Sequence, residues 1–274
     1  MSNLLNARLI WDHSRGFSRL KLLAAQASMT RPALRPLCLA FLKLVSQDGV
    51  FWARYDAGAG ELRTSFRLSQ LQSDIQGFVE VGAGDCYHLP KDFAPDVIID
   101  GGGNVGLFTL SALKRWPAAK AIIFEPVPDN LERIKAHLEA NDLQAEVNPF
   151  CLGSSESTMT FYCRDANQGN FSEDLPYTST LNVRVTSLRP YMPTDPGARC
   201  LIKLDIEGAE MEVMPDIVER LSPSTIVVGE LHNREATQST FREMIIATGR
   251  QIEFFDEGTC ATFHLRTPTS ALIH

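Results

Sequence analysis

The run Asp100-Gly101-Gly102-Gly103-Asn104-Val105-Gly106 constrains this chain more than any other seven residues. It stands between a strand-like Val97-Ile98-Ile99 and residues 105–116, where Leu107, Leu110, Ala112 and Leu113 recur at helical spacing. Glycines at a strand-to-helix turn let the backbone come close to a ligand and point free amides at it. The same run would also let a helix pack tightly on a strand, so alone it decides little. Glu125 adds the second point. It ends the next strand, 121–124, near the roughly 20-residue separation at which a carboxylate meets a ribose hydroxyl. Together they predict a site for an adenosine-containing cofactor, with Asp100, Gly101, Gly102, Gly103, Asn104, Gly106 and Glu125 as its binding residues.

Two cofactor classes compete, because Gly101, Gly103 and Gly106 also satisfy the G-x-G-x-x-G spacing of nicotinamide enzymes. Asp100 separates them. A dinucleotide brings a pyrophosphate to the helix N-terminus, where a carboxylate repels it, whereas S-adenosylmethionine brings a zwitterion and a sulfonium that an acidic loop attracts. The expectation is S-adenosylmethionine, with an NAD-dependent oxidoreductase or a non-catalytic cofactor-binding scaffold of the same fold as alternatives.

From Pro95 onward strand and helix patterns alternate, as in a parallel sheet covered on both faces. Strands are predicted at 97–99, 121–124, 145–150, 201–206 and 226–228, with Asp129 and Glu132 as a capping box for a helix bearing Leu131, Ile134 and Leu138. Residues 252–255 and 259–265, around Asp256-Glu257-Gly258, predict a C-terminal hairpin with an antiparallel strand. Before Pro95 the chain reads as two helices within residues 1–48 and short strands at 50–55, 61–68 and 78–81. The expected organisation is a helical and short-strand extension over 1–94 and a cofactor-binding α/β domain over 95–274. The polar stretch 165–180 is the long-loop candidate, part of a substrate lid.

The second constellation is Lys203-Leu204-Asp205-Ile206-Glu207-Gly208-Ala209-Glu210, closing one strand, with Gly229-Glu230-Leu231-His232 closing a parallel neighbour. Ligands of open parallel sheets sit beyond the carboxyl ends of the strands. Asp205, Glu207, Glu230 and His232 are therefore expected at one edge, with Asp205 also touching the cofactor. With Ile99 through Gly106 and Phe124-Glu125-Pro126, these strings resemble the FkbM family of S-adenosylmethionine-dependent methyltransferases over roughly residues 96–232. The resemblance implies a Rossmann-like class I methyltransferase sheet, mostly parallel with an antiparallel C-terminal hairpin strand, and O-methylation of a hydroxyl on a natural product or sugar.

Such a transfer requires the acceptor oxygen to be aligned and its proton removed. His232, with an unperturbed pKa of about 6.5, is the first candidate base, and Asp205 and Glu230 would orient it. Asp205, Glu207, Glu230 and His232 also permit a divalent cation without demanding one, and a metal is the less favoured alternative.

Composition narrows the partners. The net charge of −7 argues against nucleic acid, leaving a small-molecule or glycan acceptor. No apolar run approaches the roughly 18–20 residues that span a bilayer, and no secretory pattern opens the chain, so a cytoplasmic protein without a transmembrane segment is expected. The six cysteines form no C-x-x-C pair, which predicts reduced thiols rather than a zinc site. Charge is uneven: residues 1–48 carry Arg8, Arg15, Arg19, Lys21, Arg31, Arg35 and Lys43 against only Asp12 and Asp48. These basic helices are expected to cover the main domain or a dimer mate, hence a homodimer through the N-terminal region.

Overall fold

The computed structural model describes residues 3–165, 168–170, 177–232, 234–257 and 260–266. In chain order it forms α1 (Asn3–His13), α2 (Gly16–Thr30), α3 (Arg35–Leu44), β1 (Val50–Asp56), β2 (Glu61–Arg67), α4 (Leu71–Gly77), β3 (Val97–Gly101), α5 (Leu107–Arg115), β4 (Lys120–Phe124), α6 (Pro128–Ala140) and β5 (Glu146–Asn148). There follow β6 (Phe150–Gly153), β7 (Ser157–Asp165), β8 (Gln168–Asn170), β9 (Ser179–Ser187), β10 (Cys200–Leu204), α7 (Glu210–Ile217), β11 (Thr225–Leu231), α8 (Arg234–Ala247), β12 (Gln251–Glu257) and β13 (Cys260–Arg266). Two compact units result, one of Met1–Cys86, Val105–Pro117 and Glu132–Gln144, the other of Tyr87–Asn104, Ala118–Leu131 and Ala145–His274. This grouping differs from the single cut expected at residues 94/95, because α5 and most of α6 pack with the N-terminal elements.

In the first unit β1 and β2 form an antiparallel hairpin. Alternation along β1 turns Phe51, Ala53 and Tyr55 inward, where Phe51 stacks on Phe66 and Tyr55 meets Phe78 edge-on. A buried polar group sits within this unit. Arg133 donates to both carboxylate oxygens of Asp74, at 2.7 and 2.9 Å, and to the Ser65 carbonyl, while His137 Nε2 accepts the Ser65 N–H at 2.9 Å.

The second unit is built on a seven-stranded sheet of order β12-β13-β11-β10-β3-β4-β5. Its pairs from β11 to β5 are parallel, and β13 runs antiparallel to both β11 and β12, so the expected mostly parallel α/β sheet with a C-terminal hairpin is observed. β3 and β10 are adjacent although the chain leaves β3 toward β4 and β5 on one side and reaches β11 from β10 on the other. That reversal of strand order is where open α/β sheets bind ligands. The core beneath it comprises Ile99, Ile122, Phe124, Ile202, Leu204, Val213, Met214 and Phe263.

Several expectations need correction. Among the described residues the first 48 hold three α-helices and a short 3-10 turn at Pro32–Leu34, not two helices; α1 buries Ile10, too little for an apolar stripe to show in sequence. Residues 78–81 are helical rather than a strand, forming a π-helical turn after α4. Their aromatic and β-branched composition suggests a strand, yet the buried positions Leu71, Ile75, Phe78 and Val79 follow helical spacing. α6 starts at Pro128, so Asp129 is a first-turn acid and not the cap. Residues 145–150 divide between two sheets, because β6 joins β9, β7 and β8 in a four-stranded sheet that the strand pattern does not foretell. Within the expected 165–180 loop Asp165 ends β7, residues 168–170 form β8 and residues 179–180 begin β9; residues 166–167 and 171–176 of that lid lie outside the described residues.

Candidate active site

The glycine loop leaves β3 with its backbone bent into the left-handed region three times, at Gly102 (φ 74°), Asn104 (φ 48°) and Gly106 (φ 86°). Gly102 is irreplaceable on steric grounds, since a Cβ there would lie 1.9 Å from the Asp205 carbonyl oxygen. Across the loop Glu207 (φ 57°) and Gly208 (φ 108°) repeat the left-handed turn after β10. Non-glycine residues in this region cost about 1–3 kcal/mol each and concentrate at ligand sites.

Gly102, Asn104 and Glu125 line one side of a pocket, Asp205, Ile206 and Glu207 another, with an apolar wall that includes Phe124, Val127, Phe150 and Phe161. Asp100, Gly101, Gly103 and Gly106 are not among the lining residues. Asp100 is fully buried, 3.3 Å from Lys203 Nζ. Lys203 Nζ also donates to the carbonyls of Gly101 at 3.1 Å and Gly102 at 2.6 Å and lies 3.8 Å from Asp205 Oδ2. The carboxylates that line the pocket on this side are therefore Asp205 and Glu207, while Asp100 is buried and paired with Lys203.

Glu125 is nearly buried and already engaged. One oxygen accepts the Asn104 N–H at 2.7 Å; the other accepts the Val127 N–H at 2.9 Å and the Asn130 amide at 3.2 Å. Burial pushes its carboxyl up to about 7, against those three hydrogen bonds and the Lys203 charge. It ties the glycine loop to the end of β4 and the entry of α6.

At the ends of β10 and β11, Asp205, Glu230 and His232 each offer a ligand atom within 4.8 Å of the others. His232 Nδ1 is 3.1 Å from Glu210 Oε1, and its Nε2 is 4.0 Å from Asp205 and 3.7 Å from Glu207. All four expected residues do converge. Burial by itself would lower the His232 pKa, but the hydrogen bond to Glu210 and the charges of Glu210, Asp205 and Glu207 outweigh it and raise the pKa to about 9. The expectation that His232 titrates near neutrality is thus corrected: of the two carboxylates expected to orient it only Asp205 helps to hold its proton, together with Glu207 and, foremost, Glu210.

Two residues of the cluster are absent from the sequence reading. Glu210 closes the Lys203 to Glu210 string but has no role assigned there; it is fully buried and accepts the N–H groups of Ile206 and Gly208 besides holding His232. Its place two residues past Gly208 is the signal available in sequence. Tyr87 donates its hydroxyl to Asp205 Oδ2 at 2.8 Å, and His264 meets the Tyr87 carbonyl. No motif surrounds Tyr87.

A family model described as the Methyltransferase FkbM domain matches residues 100–248, more than half of the chain. "Methyltransferase 1" of Beauveria bassiana (strain ARSEF 2860) is 26% identical over 158 residues, covering 49% of this chain and 64% of that protein. "Methyltransferase sdnD" of Sordaria araneosa is 27% identical over 188 residues, covering 56% of this chain and 72% of that protein. The matched part thus spans just under two thirds of the first relative's length. The solved structure of methyltransferase FkbM from Methylobacillus flagellatus KT aligns with a TM-score of 0.49 at 12% identity, over 87% of this chain and 60% of that one.

Proposed function

We propose, from the premise that this chain belongs to the FkbM methyltransferase family, that it uses S-adenosylmethionine to methylate a hydroxyl group on a natural product or sugar. Membership supports methyl transfer as the activity; the activity, the cofactor, the oxygen acceptor and the residue roles are our reading. The observation that carries it is the pocket at the β3/β10 reversal, faced by Asp205 and Glu207 while Lys203 is spent on Asp100 and the loop carbonyls. That donor set fits a cationic cofactor and opposes a pyrophosphate.

Gly102, Asn104 and Glu125 would hold the nucleoside side of the cofactor, the aromatic and aliphatic wall its ring, and Asp205 and Glu207 its charged end. When bound, S-adenosylmethionine supplies an activated methyl group on a sulfonium, transferred in line to the acceptor oxygen. Because His232 already carries a proton at neutral pH, we assign proton removal to Asp205 at its Oδ1, with Tyr87 and Lys203 fixing Oδ2. His232 and Glu230 then orient the hydroxyl, the imidazolium favouring negative charge that develops on its oxygen. Titration calorimetry with S-adenosylhomocysteine and with NAD tests the cofactor. Saturable heat from the first and none from the second is expected; the reverse pattern would point to a dehydrogenase.

A further inference from the structure

The N-terminal helices carry an exposed apolar face that methyl transfer does not use. On α2, Phe17 and Leu20, one turn apart, are 54% and 57% exposed; on α3, Leu37 and Leu44, two turns apart, are 72% and 84% exposed. Phe41, between the two leucines, meets Phe17 edge-on with ring centroids 6.0 Å apart, so both rows belong to one patch. Trp11 at the end of α1 is 55% exposed, with the Arg19 guanidinium 4.1 Å from its ring centroid. Lys21 lies 5.0 Å from the Phe17 ring. The patch is thus apolar at its centre with Arg15, Arg19 and Lys21 beside it; Asp56 and Glu61 share the pocket of Phe17 and Arg15, where Glu61 is paired with Arg54, so cations remain in excess around the patch.

Large apolar side chains held this far into water mark a surface that meets a partner. Charge selects which one. A second copy docking through a two-fold axis would set Arg15, Arg19, Lys21 and Lys43 against themselves, a repulsion the apolar contact would have to overcome. An anionic bilayer satisfies both features: leucine and aromatic side chains enter the boundary between headgroups and acyl chains, and lysine and arginine meet lipid phosphates. Among the described residues no helix is long and apolar enough to cross a membrane. We propose that the α1–α3 face docks the chain peripherally on an anionic lipid bilayer.

The test is co-sedimentation of the full chain with vesicles of equal parts phosphatidylglycerol and phosphatidylcholine, against vesicles of phosphatidylcholine alone. Binding about tenfold or more tighter to the anionic vesicles is expected, weakening as salt screens the charges. Leu37→Glu with Leu44→Glu should remove most of that binding, and Arg15→Glu with Lys43→Glu should remove the preference for anionic lipid. All four sites are exposed, so an unchanged urea midpoint verifies the fold of each variant. Failure to sediment with anionic vesicles, equal sedimentation with both kinds, or undiminished binding of the leucine variant would overturn the proposal. So would a lipid-free dimer in analytical ultracentrifugation that the leucine variant dissociates, which would assign the face to a second copy.

Discussion

Asp100 and Lys203 are register partners on the adjacent parallel strands β3 and β10, and their side chains form an ion pair at 3.3 Å with both groups almost fully buried. Removing one member of such a pair leaves an uncompensated charge in the interior, at about 3–5 kcal/mol. Lys203→Met should therefore lower the urea-unfolding free energy by that amount, and adding Asp100→Asn should restore a large part of it. The double variant should still bind S-adenosylhomocysteine more weakly than the parent, because the Gly101 and Gly102 carbonyls lose their ammonium donor. Parental stability in Lys203→Met would contradict the pairing.

Gly102→Ala probes the loop by sterics. Its Cβ would collide with the Asp205 carbonyl in a backbone already left-handed, so the loop or the start of the 205–208 turn must move. We expect a loss of more than about 1 kcal/mol in stability and at least a tenfold loss of cofactor affinity by calorimetry. Gly249→Ala is the control: φ there is 76°, but no atom lies within 4 Å of the added methyl. It should show backbone strain alone, with cofactor affinity unchanged. Equal binding losses in the two variants would discount the steric argument.

The strand-loop-helix unit, the parallel strands and the gathering of Asp205, Glu230 and His232 were legible because each follows from short-range pattern: apolar runs, glycine punctuation and strand ends. What depended on pairing across the sheet was not. The acidity of Asp100 is plain in sequence, but its neutralisation needs the register that sets Lys203 opposite it. The same holds for His232, whose three carboxylate neighbours raise its pKa only once Glu210 folds back beneath it. The four-stranded sheet escaped notice because β6 follows β5 after one residue, so two strands of different sheets read as one.

His137 gives a pH dependence of stability. Its Nε2 accepts the Ser65 N–H, which leaves the proton on Nδ1 facing the Val105 carbonyl at 2.8 Å and makes the buried ring neutral. Burial, then the Arg133 charge, lowers its pKa to about 4 from 6.5. Between those values the unfolded chain binds a proton that the folded chain does not, so stability is full above about 6.5 and falls as pH drops through 4. The shift corresponds to a loss of about 3 kcal/mol on this account. Urea midpoints from pH 7 to 4 should record the decline, and His137→Gln should flatten it. A slope that persists in the variant would assign the effect to other groups.

The pH dependence of turnover separates the two roles open to His232. A base must be unprotonated, so if His232 removed the acceptor proton, kcat/KM would climb with pH until about 9, where the imidazolium titrates. If the imidazolium instead orients the hydroxyl while Asp205 takes the proton, kcat/KM should stay level through neutrality and fall above about 9. We expect the second profile. His232→Gln should then lose the alkaline limb with a moderate fall in turnover, whereas Asp205→Asn, which cannot accept the proton, should lose about 10²–10⁴-fold in kcat. Stability carries the same signature by a separate route. A pKa raised in the folded state adds stability below about 6.5 and loses it as pH rises through 9, so the parent should weaken on alkalinisation more than His232→Gln does. A climbing rate profile together with this alkaline loss of stability would keep the imidazolium in the resting site and return the proton to His232 in the reaction.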